Sequence, residues 1–535
     1  EEAIEAYDKA LSIKPDFYGA HSNIGNALHE TGELEAAIKT YRDSISIHPE
    51  YSTAWNNIFF PLQAIKRHIS SEEELASYLP EHDGSQYARI SASILNYKLN
   101  QGGERIEAHF NETLTLLSNA ENTTIERPKG NKKSVDAETI LPDNIVALVH
   151  FGRSGTGLLH SLIDGHPELS TLPSTYFSEY FDNSTWDRII SGGWGEMADR
   201  FRTTYEVLFD ASSLQPVSSK SGKLLHNMGK KEGMTNVGDQ RDEILSVDKV
   251  LFCSELDRLI DLYDKLDALV FFKLVNAAYN KVLSDLNQKK LIFYHIHNPD
   301  THAQLNFVRL APEAKWIVMV REPLQSLESW ISKRFRKNEH SDCSVRITTM
   351  LFELDNIIYD KQASIGLRLE DLKENPRKVI PALCNWMGIE EADSLYEMTA
   401  QGKKWWGDPS SPDYAKDGME PFGKTSIHRS VGSIFSESDQ FILRTLFYPF
   451  SARFGYIEEN QTQFKKDLKT IRPMLDQMFD FEKTIVERTN TDPEKFMKSG
   501  SYFYLRSGLI ERWETLKKYG TYPNMISPLK INWGD

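Results

Sequence analysis

Cysteine is nearly missing from this chain: Cys253, Cys343 and Cys384 are the only three among 535 residues, far apart and without metal-ligand spacing. That excludes a disulfide framework and a cysteine-built metal cluster. Also lacking is any apolar run near the roughly 20 residues of a membrane-spanning helix. Positive charge is in deficit, with 62 Lys and Arg against 77 Asp and Glu and a net charge of −15. General nucleic-acid binding is thereby excluded, so an anionic ligand must be met by a local basic pocket. The Gly-x-x-x-x-Gly-Lys-Ser/Thr spacing of a nucleoside-triphosphate loop is absent too, as is a strand ending in a magnesium-binding aspartate. What remains is a soluble globular composition, 40% hydrophobic and 26% charged, with mean hydropathy −0.47. The length suits roughly two to four domains.

The first feature present is a repeat. Ala3, Ile4, Tyr7, Pro15 and Ala20 recur 34 residues later as Ala37, Ile38, Tyr41, Pro49 and Ala54, the period of a tetratricopeptide (TPR) helix pair. Such units bury a face against their neighbours. The chain opens inside a unit's second helix, so the array over 1–66 is expected to be truncated at its start. Pro61 replaces the alanine expected one period after Ala27, and the array is expected to give way there to a helical connector and linker, 67–140. Beyond it, apolar runs at 145–151, 268–274, 290–296, 315–320 and 365–369 alternate with helical patterns. That alternation predicts an α/β domain with a central parallel sheet flanked by helices, over 141–456. Segment 211–248 is rich in Ser, Lys and Gly; it reads as a mobile lid or a disordered insertion, and composition favours the second. The extension 457–535 reads as helical and then aromatic-rich, with no role assigned.

The chemistry concentrates in two places. Gly152-Arg153-Ser154-Gly155-Thr156-Gly157-Leu158 follows the run 145–151 and opens an amphipathic helix. A strand, a small-residue turn and a helix start aim backbone N–H groups at an anion. The glycines allow close approach, the hydroxyls add donors and Arg153 adds charge. The second place is Arg321-Glu322-Pro323 through Ser329, after the strand Trp316–Val320. The arginine and a hydroxyl eight residues on can converge on one phosphate.

Together these segments resemble the sulfotransferases that use 3′-phosphoadenosine 5′-phosphosulfate (PAPS). Arg153-Ser154-Gly155-Thr156-Gly157 is similar to that family's 5′-phosphosulfate loop, and Arg321-Glu322-Pro323 with Ser329 to its 3′-phosphate motif. Arg368-Leu-Glu-Asp-Leu-Lys-Glu-Asn-Pro376 resembles a third element, and the segment from His428-Arg429-Ser430 to Tyr456 resembles the C-terminal basic turn and closing helix. The resemblance spans about 141–456. Two positions depart from it: Gly157 stands where the family carries a second hydroxyl, and Leu369 where it carries tyrosine. The resemblance implies a P-loop-like sulfotransferase domain behind a helical TPR solenoid. It implies PAPS as donor, 3′,5′-ADP as product, no metal, and Arg321, Ser329 and Arg429 as ligands of the 3′-phosphate.

Sulfuryl transfer needs a base for the acceptor hydroxyl and positive charge on the bridging oxygen. Arg153 suits the second task. For the first, His295 and His297 end an apolar strand where the family carries its catalytic residue, and a neutral imidazole suits a base. Glu179 is the competing base, in a region where glycan and tyrosine sulfotransferases often place a glutamate; Ser174 cannot serve. His160 and His302 read as structural. Trp405 and Trp406, after Lys403 and Lys404, form a candidate acceptor platform. The acceptor is expected to be a hydroxyl on a glycan, peptide or small molecule, with a glycan or other large acceptor favoured. A protein partner is expected on the repeat face, and no nucleic acid or membrane. The expected setting is the cytoplasm of a bacterium, with a Golgi lumen as the alternative. The rival readings are a TPR scaffold with a catalytically weak nucleotide-binding domain, and a P-loop kinase.

Overall fold

The computed structural model describes residues 2–69, 72–81, 85–120, 124–128, 141–173, 176–216, 225–285, 287–297, 300–409, 411, 414, 418–424, 427 and 430–534. Arg429 and Ser174 lie outside them, as do residues 129–140 at the end of the expected linker and residues 217–224. The helices and sheet strands used below are numbered in chain order.

Small residues set the N-terminal packing. Ala20, Ala37 and Ala54, the alanines of the 34-residue period, have no exposed surface. They let helices α1 (Glu2–Ile13), α2 (Tyr18–Thr31), α3 (Leu34–Ile47) and α4 (Ser52–Asn57) stack closely. A Cβ on Gly25 would stand 2.8 Å from the Tyr41 ring, and the Tyr41 hydroxyl donates to Asn26 Oδ1 at 2.6 Å. The stack continues into α5 (Phe59–Ile65) and α6 (Gln86–Leu99).

The second body is a five-stranded sheet: β1 (Asn144–His150), β2 (Leu169–Thr171), β3 (Leu291–His295), β4 (Lys315–Val320) and β5 (Ser364–Arg368). All neighbours run parallel in the order β2-β3-β1-β4-β5. Strand β1 sits at the centre, with Val146 opposite Phe293 and Ala147 opposite Trp316. Its residues are buried from Ile145 to His150, as a strand covered on both faces requires.

One expected strand is a helix. The run 268–274 belongs to α8 (Ala268–Val282), which Asp267 caps by accepting the Val270 N–H at 2.8 Å. Its apolar pattern extends to Tyr279, too long for a strand of this sheet, and a short apolar run cannot separate the two states. The fifth strand is instead the three-residue β2. Segment 211–248 is also corrected: in its described part Met234, Val237, Leu245 and Val247 are buried in the main core. Isolated antiparallel bridges, Asp210–Ser246 and Val237–Glu243, fix it further.

The C-terminal extension joins the two bodies. Helix α11 (Gly500–Tyr519) packs on α5 and α2 on one side and on α10 (His340–Glu353) on the other. Its Arg506 and Arg512 are fully buried. Arg512 meets Asp355 at 2.8 Å, and Arg506 pairs with Glu482, which also accepts from His340 at 2.9 Å. The chain end then runs beside β5, with Gly366 N–H donating to the Ser527 carbonyl at 2.7 Å. This covers an otherwise open sheet edge. Among the described residues no helix is long and apolar enough to cross a membrane.

Candidate functional site

At the carboxyl end of β1 the chain turns through Gly152 (φ +56°) and Gly155 (φ +88°) into α7 (Thr156–Ile163). Both glycines are needed for space as well as for φ. A Cβ on Gly152 would come within 2.5 Å of Ser326 Oγ, and one on Gly155 within 2.7 Å of Leu369 Cδ1. Gly155 is the N-cap, so Thr156, Gly157 and Leu158 form the first helical turn, whose N–H groups have no intrahelical partner. Ser154 is buried and its Oγ accepts the Phe151 N–H at 3.2 Å. Arg153 is half exposed, with one guanidinium nitrogen 3.4 Å from Asp408 Oδ2.

Ser326, which the sequence reading passed over for Ser329, holds this loop. It lies on α9 (Pro323–Arg336). Its Oγ accepts the Arg153 N–H at 2.9 Å and donates to the Phe151 carbonyl at 3.1 Å. The same helix begins directly after Arg321, so loop and arginine form one braced unit. Arg321 is 4% exposed, and its Nη2 donates to Gln325 Oε1 at 3.3 Å and to the Ile427 carbonyl at 3.4 Å. Ser329 is half-buried one turn further along α9.

Two glutamates brace the turns around Arg321. Glu370 accepts the Glu322 N–H at 3.0 Å and the Tyr456 hydroxyl at 3.0 Å, fixing the turn after Arg321. Glu328 is buried and accepts the N–H groups of Gly432, Ile434 and Phe435 at 3.0, 3.1 and 3.0 Å, with the Ser433 hydroxyl at 2.8 Å. It anchors the turn that follows Arg429. Neither role is visible in local spacing, because each partner lies 48 to 107 residues away.

The histidines gather at the ends of β1 and β3. The rings of His150 and His297 have centroids 4.8 Å apart, and those of His160 and His295 5.0 Å apart. His295 Nδ1 lies 3.3 Å from His160 Nδ1, and His160 Nε2 lies 2.8 Å from the Thr171 hydroxyl. Burial, then the charges of His150, Lys231 and Arg153, holds His297 down to about 3. Burial and the neighbouring histidines hold His295 well below the usual range. Both rings are therefore neutral near pH 7. His297 is held by its backbone N–H, which donates to Ser178 Oγ at 3.2 Å. Glu179 follows that serine and is half-buried. Its charge is felt at the Tyr294 phenol, which burial, Tyr205 and then Glu179 push up.

Trp405 and Trp406 lie beside the loop. The Trp405 indole N–H donates to the Glu232 carbonyl at 2.9 Å and that of Trp406 to the Gly238 carbonyl at 2.7 Å. A Cβ on Gly157 would stand 3.6 Å from Trp405 Cη2. Arg241 and Lys404 stand over the Trp406 ring at 4.3 and 3.9 Å. The pair thus ties the 232–238 segment to the loop.

Fold and site together define a tetratricopeptide array joined to an α/β domain with a glycine-rich strand-to-helix loop at the carboxyl end of its parallel sheet. Residues 1–32 match the TPR repeat family and residues 18–51 the tetratricopeptide repeat family. No curated protein matches the chain. Among solved structures, it is similar to the sulfotransferase domain of the olefin synthase of Synechococcus PCC 7002. That match has 19% identity over 50% of this chain and 82% of the other, with TM-score 0.25. It is also similar to the sulfotransferase domain of the curacin biosynthetic pathway (14% identity, 66% and 99% covered, TM-score 0.22). A third is a sulfotransferase from Mycobacterium avium (11%, 63% and 84%, TM-score 0.24).

Proposed function

We propose that the chain is a PAPS-dependent sulfotransferase that moves a sulfuryl group to an acceptor hydroxyl. The observation that carries this reading is Ser326: one helix supplies the residue that closes the loop at 152–158 and begins at the arginine of the second seat. A donor with phosphates at both ends of a nucleoside needs two such seats at fixed separation. The 5′-phosphosulfate would meet the N–H groups of 155–158 and Arg153, and the 3′-phosphate would meet Arg321, Ser329 and Arg429.

In the transfer, a ring nitrogen of His297 takes the acceptor proton as the acceptor oxygen bonds to sulfur. The bond from sulfur to the bridging oxygen breaks, and 3′,5′-ADP leaves with its electron pair. Arg153 meets the charge that develops on that oxygen. His297 is favoured over Glu179 because it follows β3 beside the loop, close enough for the charge of Arg153 to act on it. His295, more deeply enclosed and paired with His160, orients the strand end. The acceptor is a glycan or another large hydroxyl-bearing molecule, and the repeat face is suited to a protein partner.

Calorimetry with 3′,5′-ADP and with magnesium ATP tests the donor class. Tight binding of 3′,5′-ADP, abolished in Arg321→Ala, is expected, and binding of ATP alone would refute the assignment. His297→Ala should keep 3′,5′-ADP affinity and lower turnover about 10²–10⁴-fold. Loss of turnover in Glu179→Ala with His297→Ala unaffected would move the base to Glu179.

A further inference from the structure

A cavity of about 310 Å³ lies where the repeat-side helices meet the carboxyl ends of the sheet strands. Its walls come from α5 and α6, from Val149 and His150 at the end of β1, from Ile296 beside His297, and from α10 and α11. In open parallel sheets this end is where ligands bind. The volume matches the lower end of small-molecule sites, roughly 300 Å³.

Its chemistry is uneven in an informative way. Thr348 and Glu353 also belong to its wall, but their Oγ1 and Oε2 atoms are closed off from the space. The amides of Gln101 and Gln304 also line the space. Apolar surface comes from Phe59 and Tyr504, whose rings stand edge to face at 6.3 Å. Glu353 is close enough to the loop for the Gly152 backbone N–H to act on its carboxyl. On the side toward the loop, the wall is His150, whose ring neighbours His297.

We infer that this cavity seats one hydroxylated ring of the acceptor, the terminal sugar of a glycan or glycoside. Its hydroxyls would be read by Gln101 and Gln304, and its apolar face would lie against Phe59, whose ring also carries the Lys98 ammonium at 4.2 Å. Amides that donate and accept suit a set of hydroxyls, and an aromatic ring suits the C–H face of a sugar. The assignment of the bound ring as the group to be sulfated rests on the sulfotransferase reading; its binding does not.

Saturation-transfer NMR on the full chain, with and without 3′,5′-ADP, tests this. The probes are the methyl β-glycosides of glucose, galactose, mannose and N-acetylglucosamine, with p-cresol as the phenol control. At least one glycoside should bind, and Gln101→Ala with Gln304→Ala should weaken it by roughly tenfold or more. Thr349→Phe, which fills the half-buried wall, should do the same without removing a polar contact. No glycoside binding, p-cresol binding alone, or glycoside binding indifferent to all these variants would overturn the inference. Titration of 3′,5′-ADP in the same samples reads the donor assignment separately. Glycoside binding without nucleotide binding would refute the enzyme and keep the cavity; the converse would refute the cavity alone.

Discussion

Ser326→Ala is the sharpest perturbation of the candidate site. The substitution leaves Cβ in place and removes one oxygen. That oxygen accepts the Arg153 N–H at 2.9 Å and donates to the Phe151 carbonyl at 3.1 Å. Phe151 is fully buried, and its N–H is already taken by Met319 and Ser154. An unpaired buried backbone group costs about 1–3 kcal/mol, and the carbonyl retains a second lone pair. A total of about 2 kcal/mol is therefore a conservative figure. If the loop keeps its shape, the cost appears as easier local opening, and the Arg153 amide should exchange hydrogen roughly 30-fold faster. If the loop relaxes, the cost moves to the ligand, and 3′,5′-ADP should bind roughly 30-fold more weakly. The two effects trade against each other, so both must be measured, by hydrogen exchange and by calorimetry. Ser329→Ala is the control: it should lower 3′,5′-ADP affinity without changing exchange at Arg153. Unchanged exchange together with unchanged affinity in Ser326→Ala would refute the claim that α9 holds the loop.

Three further outcomes are expected. Glu328→Ala frees four N–H groups and a hydroxyl of the 432–435 turn, so 3′,5′-ADP affinity should fall by at least roughly tenfold, read by calorimetry, while the Arg153 amide keeps its exchange rate. Arg512→Met leaves the buried Asp355 charge without its ion partner, with the Asn524 amides still donating to it, which should destabilise the fold by about 3–5 kcal/mol, and Arg512→Met with Asp355→Leu should recover much of it; equal melting of the two variants would refute a role for the pair's charge. Burial raises the Glu353 carboxyl to about 8, so from about pH 4.5 to 8 the folded chain holds a proton that the unfolded chain releases, and stability falls as pH rises across that window. Glu353→Gln has no such proton, so its denaturation midpoint relative to the parent should climb from pH 5 to pH 8, and a constant difference would refute the shift.

Much of the fold was legible in the sequence, and the exceptions have physical causes. Four of the five strands coincide with apolar runs, because a parallel sheet buried on both faces needs continuous hydrophobic segments. The fifth, Leu169–Thr171, is three residues long and carries too little pattern to detect. Residues 268–274 look like a strand because Phe271, Phe272, Leu274 and Val275 are all buried; only the continued pattern and the Asp267 cap mark a helix. Segment 211–248 reads as polar because its few core residues, such as Val237 and Leu245, are widely spaced. The turn at 152–158 was legible for the opposite reason, since its glycines answer a local demand of backbone and space. What the sequence hides is the set of braces. Glu328 looks like any helical glutamate, and Ser326 differs from Ser329 only by one turn.

The two departures from the sulfotransferase pattern bear on the same few atoms. Leu369 stands where a tyrosine is usual, and its methyl group fills the space above Gly155. Gly157 stands where a hydroxyl is usual, and Trp405 lies against it, leaving room for a Cβ but little beyond. Trp405 in turn is held by the Glu232 carbonyl and by the hairpin at 399–404. That hairpin is pinned by Asp164, which accepts from the Thr399 hydroxyl and from the Gln401 and Gly402 N–H groups. A branched residue at 157 would therefore push against a ring whose own supports reach back to the end of α7. The missing side chain at 157 and the docking of the 232–238 segment are one structural choice: a glycine there admits an aromatic wall over the first helical turn.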